Sequence, residues 1–144
     1  MGKKRIIKKN THENQDDAKS RILSRASKNK IVKGILHIES TYNNTRITLT
    51  DESGNAILWG SAVTMGFKGT KKSTPYAASK IANVLGEKSK ALGLREVEVI
   101  VKGVGAGRES AIRSFVSSGI DISSIKDKTP VPHNGPKPPK PRRV

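Results

Sequence analysis

At Thr74-Pro75 the spacing of apolar residues along this sequence changes from two to between three and four, so a run of strands gives way to a run containing helices. Before the switch, Ile31 to Ser40 alternates, with Leu36 and Ile38 on one face and His37 and Glu39 on the other. Arg46 to Thr50 and Ala56 to Ser61 are two further strand-like segments, set off by Tyr42-Asn43-Asn44-Thr45 and Asp51-Glu52-Ser53-Gly54-Asn55. Asn tolerates left-handed backbone angles and its side chain can cap its own turn, so these connections predict tight turns and an antiparallel meander. After the switch, Thr74 and Pro75 have the chemistry of a helix cap and first helical residue, and Ala78, Ile81, Ala82, Leu85 and Leu92 recur at helical spacing until Gly93. Val97, Val99, Ile100 and Val101 form a short, nearly continuous apolar strand, the pattern of a strand covered on both faces. Arg108 to Ser118 predicts a second helix with Ala111, Ile112, Phe115 and Val116 inward and Gly119 as its stop; Ile120, Ile122 and Ile125 predict a fifth strand.

Three antiparallel strands followed by helix, strand, helix and strand, joined by right-handed crossovers, make a mixed five-stranded α/β sheet. The expected spatial order is 3-2-1-4-5, as in ribonuclease-H-like folds. Residues 31–126 are the expected domain, between a basic arm at 1–30 and a Pro-rich basic tail at 127–144.

Charge separates these parts. The chain carries a net +16, of which residues 34–125 hold only +3, with 11 basic and 8 acidic side chains. Six of the seven prolines lie between Pro130 and Pro141, and proline's missing N–H and fixed φ predict an extended tail with outward side chains. The arm is polar and lacks a sustained period, which predicts disorder in isolation. Solubility alone needs a net charge of about 2 to 8, so a polyanionic partner is the better reading of the excess, with plain solubilisation as the bland alternative. With no cysteine and only His12, His37 and His133, neither a disulfide nor a tetrahedral metal site is expected, and no cofactor. No stretch approaches the ~18 apolar residues of a membrane span, so an intracellular chain with no membrane partner is expected.

Two loops draw the functional reading. Gly103-Val104-Gly105-Ala106-Gly107-Arg108 joins a strand to a helix, where free amides and the helix dipole favour an anion and Arg108 adds charge. A dinucleotide fingerprint would need glycine at 108, so polynucleotide phosphate is preferred to a nucleotide cofactor, with a structural tight turn as the alternative. Gly66 to Thr74 carries Lys68, Lys71 and Lys72 beside a helix start but lacks the P-loop glycine before its Lys-Ser pair; an exposed basic loop is the bland reading. Glu39, Glu98 and Asp121 are the strand carboxylates a metal-dependent nuclease would need, but they alternate with apolar residues as solvated positions do, so no enzyme is expected. Aromatic residues are few, with Phe115 assigned to the helix core and Trp59 to the sheet, so a folded RNA read through phosphates and shape is favoured over stacked single strands. These physical features alone leave RNA and DNA open, and a DNA-compacting protein is the competing reading.

The motifs coincide with a known family. His37 to Thr45, Gly66-Phe67-Lys68-Gly69 leading to Lys72 through Ala78, Val101 to Arg113, and Ser124 through Gly135 resemble, in order, small-subunit ribosomal protein eleven in its bacterial and organellar form. The resemblance covers about residues 34–144. It implies a non-enzymatic protein of the small-subunit platform, located in the cytoplasmic or an organellar ribosome, that binds the central region of small-subunit rRNA near the mRNA exit path. Ribosomal proteins seven, eighteen and twenty-one are its implied neighbours. Together with the loops, it selects as RNA-binding candidates Asn43, Asn44, Lys68, Lys71, Lys72, Gly103, Gly105, Gly107, Arg108, Arg113, Lys126, His133, Asn134, Lys137, Lys140, Arg142 and Arg143. Val104 stands where the family usually has Pro, and residues 10–20 match no family pattern.

Overall fold

A computed structural model describes residues 31–141; the arm at 1–30, Arg142 and Arg143 lie outside the described residues. The elements are β1 (Lys33–Ser40), β2 (Thr45–Thr50), β3 (Ala56–Ser61), a 3-10 turn (Gly69–Ser73), α1 (Pro75–Ala91), β4 (Glu96–Lys102), α2 (Gly107–Ser117) and β5 (Asp121–Asp127). The strands form one sheet in the order β3-β2-β1-β4-β5, the expected order. β2 is antiparallel to β1 and β3, whereas β4 is parallel to β1 and to β5.

The crossovers β3-α1-β4 and β4-α2-β5 both travel the same way across the sheet. Right-handed connections moving in one direction place their helices on one face. That face holds the core: Leu36 opposite Leu49, Ile38 opposite Ile47, and Val97, Val99 and Val101, closed by Ile81, Ala82, Leu85, Ala111 and Phe115, all at most 3% exposed. The expectation that the fourth strand is covered on both faces is therefore corrected. Val97, Val99 and Val101 are buried, but Ile100 between them is half-buried on the helix-free side.

Local chemistry explains the helix ends. The Thr74 hydroxyl accepts the Ala77 amide at 3.3 Å and Pro75 opens α1, satisfying one donor that the helix start leaves free. Gly93, at φ +89°, ends it in the left-handed region. The uneven spacing of Ile122 and Ile125 also has a cause. Ile122 lies beside Val97 and Ile125 beside Val99, but Ser124 lies beside Glu98, so Ser123 is an extra residue in β5. Such an irregularity returns Ile125 to the helix side despite the odd interval. Ile125 is nonetheless 57% exposed, because it lies at the sheet's edge.

Candidate nucleic-acid interface

β1, β3, β4 and β5 run in one direction, so their carboxyl ends, Ser40, Ser61, Lys102 and Asp127, lie along one edge of the sheet. The segments 41–44, 62–74 and 103–106 and the tail all leave from that edge. Ligands of open α/β sheets commonly sit outside the carboxyl ends of parallel strands. The two loops singled out from the sequence and the Asn43-Asn44 turn thus leave from one sheet edge, although 60 residues separate Asn43 from Gly103.

The first loop is built differently from expectation. Thr41, not an Asn side chain, caps it: its Oγ1 accepts the amides of Asn43 and Asn44 at 3.3 and 3.0 Å and donates to the Asn44 carbonyl at 3.1 Å. Neither Asn has a positive φ. This leaves the Asn43 side chain exposed, beside Tyr42 at 82% exposure, and the Asn44 Oδ1 buried with no hydrogen-bond partner among the described residues.

The glycine-rich loop seats on the end of β1. Gly103 has φ +100°, and a Cβ on it would collide with the Ser40 carbonyl; on Gly105 it would lie 2.5 Å from the Thr41 carbonyl, and on Gly107 2.6 Å from Thr45 Oγ1. Close internal packing, rather than approach to a ligand, therefore accounts for all three glycines. The Gly105 amide donates to the Ser40 carbonyl at 2.9 Å and the Gly103 amide to Thr129 Oγ1 at 3.2 Å. Two amides that the sequence offers to phosphate are thus already paired. The uncommitted donors of this region belong to the first turn of α2, which no side chain caps.

Arg108 is also engaged. Its Nη1 donates to the Gly103 carbonyl at 2.5 Å and its Nη2 pairs with the Asp127 carboxylate. Asp127 in turn accepts the Thr129 amide and hydroxyl at 2.9 and 2.6 Å. The Thr129 hydroxyl first, and then Arg108, hold the Asp127 carboxyl at about 2, below its ordinary 3.8. With the bond from Gly103 to Thr129, these contacts form a closed ring that fastens the root of the tail to the glycine loop. Arg113 is set back along α2 and paired with Glu109 at 3.0 Å, and Lys126 is paired with Glu98 at 2.5 Å.

Lys68, Lys71 and Lys72 have no carboxylate within ion-pair distance among the described residues. Lys71 and Lys72 end a 3-10 turn that runs directly into α1, an element absent from the sequence expectation. Their neighbours Tyr76 and Lys80 were missed as candidates. Tyr76 is 63% exposed, its ring meets Phe67 edge-on at 6.0 Å, and Lys80 Nζ lies 5.5 Å from its centre. The interval of four between them, on a helix that opens beside the basic loop, was the available signal. His133, Asn134, Lys137 and Lys140 follow as exposed residues of a tail without helix or strand, and Asn134 adopts φ 52°.

The nuclease candidates do not gather. Glu39 and Glu98 face Arg46 and Lys126, and no group of three metal-ligating side chains comes together among the described residues. No described helix is long and apolar enough to cross a membrane.

A family model described as Ribosomal protein S11 matches residues 34–143. Relatives from Caldicellulosiruptor saccharolyticus and Caldicellulosiruptor bescii, both named "Small ribosomal subunit protein uS11", are 54% identical over 124 residues, spanning 86% of this chain and 95% of each relative.

Proposed function

This chain belongs to the ribosomal protein S11 family, and we propose that it is a non-enzymatic structural protein of the small ribosomal subunit that binds small-subunit rRNA. The observation that carries this is the convergence, on one sheet edge, of Lys68, Lys71 and Lys72 without carboxylate partners among the described residues, the uncapped start of α2 and the root of a tail containing Lys128, Lys137 and Lys140. Cations of this kind release counterions from a phosphate backbone, while a rigid edge fixes the register of the contact.

The finer assignment comes from the family resemblance: a platform position on the central region of the rRNA, beside the mRNA exit path, with ribosomal proteins seven, eighteen and twenty-one as neighbours. Within the candidate set, the free lysines, Asn43, Asn44 and the tail residues touch RNA directly, whereas Gly103, Gly105, Gly107 and Arg108 shape the surface. The division into arm, domain and tail is retained, although the bonds of the folded part reach Thr129, slightly past the proposed tail start. Filter binding across a salt series, to small-subunit rRNA and to duplex DNA of matched length, tests the proposal. Preference for rRNA that persists as salt rises supports it; equal affinity for both would favour a DNA-compacting protein.

A further inference from the structure

The four segments at the carboxyl edge of the sheet, 41–44, 62–74, 103–106 and 127–141, contain one carboxylate, Asp127, among the cations Lys68, Lys71, Lys72, Lys128, Lys137 and Lys140. Its side chain is 52% exposed, so its charge stands on the edge assigned above to phosphate. Taken alone, an acid there opposes binding, because it repels a polyanion and occupies a cation, Arg108, that phosphate could use.

The bonds that Asp127 accepts give it a different part. Its Oδ1 takes both the amide and the hydroxyl of Thr129, and its Oδ2 takes the Arg108 guanidinium, whose other arm reaches the Gly103 carbonyl. The Gly103 amide closes the ring on Thr129 Oγ1, and the Lys128 amide donates to the Val101 carbonyl at 2.9 Å. A lone exposed ion pair would hold little, but a carboxylate shared by three donors and a hydroxyl bonded on both sides constrain the direction of Thr129. Pro130 follows at once, and proline fixes its own φ and keeps the residue before it extended. The tail has no helix or strand to set its course, so its starting direction is that of Thr129.

We infer that Asp127 is a positioning residue for rRNA: by holding Thr129 and Arg108 against the glycine loop it aims the tail's cations along the edge that carries Lys68, Lys71 and Lys72, so that this acid strengthens binding to a polyanion. The inference rests on the rRNA-binding assignment above. A tail whose start is fixed loses less freedom when its cations meet phosphate than one free to swing. Asp127→Ala therefore weakens rRNA binding roughly threefold to tenfold, although it makes the chain more positive. Charge counting alone predicts the reverse, tighter binding with a salt slope steeper by up to about 1 unit as Arg108 is released.

A mutant cycle in the full-length chain, read by filter binding to small-subunit rRNA, tests this. Asp127→Ala is measured in the parent chain and again with Lys137, Lys140, Arg142 and Arg143 all changed to Gln. If Asp127 acts through the tail, its loss costs less than about twofold once the tail cations are gone. An equal loss in both backgrounds, or tighter binding in the parent background, overturns the inference. Thr129→Val removes the shared hydroxyl without changing charge and should weaken binding as much, with a salt slope within about half a unit of the parent's. Thr129→Ser keeps the hydroxyl and should keep the affinity; unchanged affinity in Thr129→Val contradicts the inference. The root is also read without RNA. The chain has no cysteine, so a nitroxide on Val131→Cys gives one electron paramagnetic resonance signal, whose lines should sharpen in Asp127→Ala and in Thr129→Val. Identical line shapes overturn the inference whatever the RNA result. A parent chain that does not bind rRNA overturns the proposed function itself, and the spectra then still decide whether Asp127 holds the root.

Discussion

The Arg108 guanidinium and the Asp127 carboxylate, nineteen residues apart, close a ring of contacts through Thr129 and Gly103 that joins the start of α2 to the root of the C-terminal tail. The cation read from the sequence as a phosphate ligand is thus also paired within the domain, at the root of the tail.

Asp127→Ala should therefore loosen the tail root with little effect on the core, because the pair is exposed and the buried side chains lie elsewhere. Trypsin should cut after Lys128 faster than in the parent chain while thermal unfolding changes little; an unchanged cleavage rate would show that the ring does not hold the root. The pH dependence has a definite sign. The folded-state value of the Asp127 carboxyl is depressed, so its contribution is complete above its ordinary 3.8 and lost as pH falls through about 2. The Thr129 amide signal, followed by NMR through that window, should move with a midpoint near the lower value.

Lys68→Ala, Lys71→Ala and Lys72→Ala combined should make the log-log salt slope of rRNA binding shallower by roughly 2 to 3 units if each lysine displaces about one counterion. Arg113→Ala should change it by less than about 1 unit, since Glu109 already neutralises that cation. Equal effects from the two variants would remove the distinction between free and paired cations.

Truncation separates the tail's charge from its anchorage only if the cut spares Thr129. Deleting 131–144 removes Lys137, Lys140, Arg142 and Arg143 and should flatten the salt slope by roughly 3 to 4 units at full participation, and by at least ~1. Circular dichroism should show the domain intact. Weakened binding with an unchanged slope would mean that the tail acts through shape or protein contacts.

Gly103→Ala and Gly105→Val should destabilise the domain by about 1 to 3 kcal/mol, through a strained positive φ in the first case and overpacking against Thr41 in the second. Urea denaturation measures this directly. Full stability with lost rRNA affinity would return these glycines to the RNA surface.

Asn134 stands exposed before Gly135 in the tail, where the following amide nitrogen can attack the side-chain amide, expel ammonia and yield aspartate or isoaspartate on hydrolysis. Peptide mapping of aged protein should find this gain of about one mass unit at residue 134. Its absence would count against an extended tail that leaves Asn134 open to this reaction.

Periodicity made the strands, both helices and the sheet order legible, whereas the extra Ser123 in β5 emerged only from the strand register. Contacts between distant segments were not legible. Nothing local to Gly105 says that its missing side chain makes room for Thr41, or that the acid paired with Arg108 is Asp127. Trp59 read as a sheet residue, but only register placed it on the helix-free face. The basic loop was visible as charge, yet the 3-10 turn that carries Lys71 and Lys72 into α1 has no periodic signature at five residues.

Sedimentation tests the central assignment most directly. Expressed in cells and resolved on a sucrose gradient, the chain should migrate with small-subunit rRNA in near-equal amount, and the variant lacking Lys68, Lys71, Lys72 and residues 131–144 should be largely lost from that peak. Migration with chromosomal DNA, or absence of the intact chain from small subunits, would contradict it.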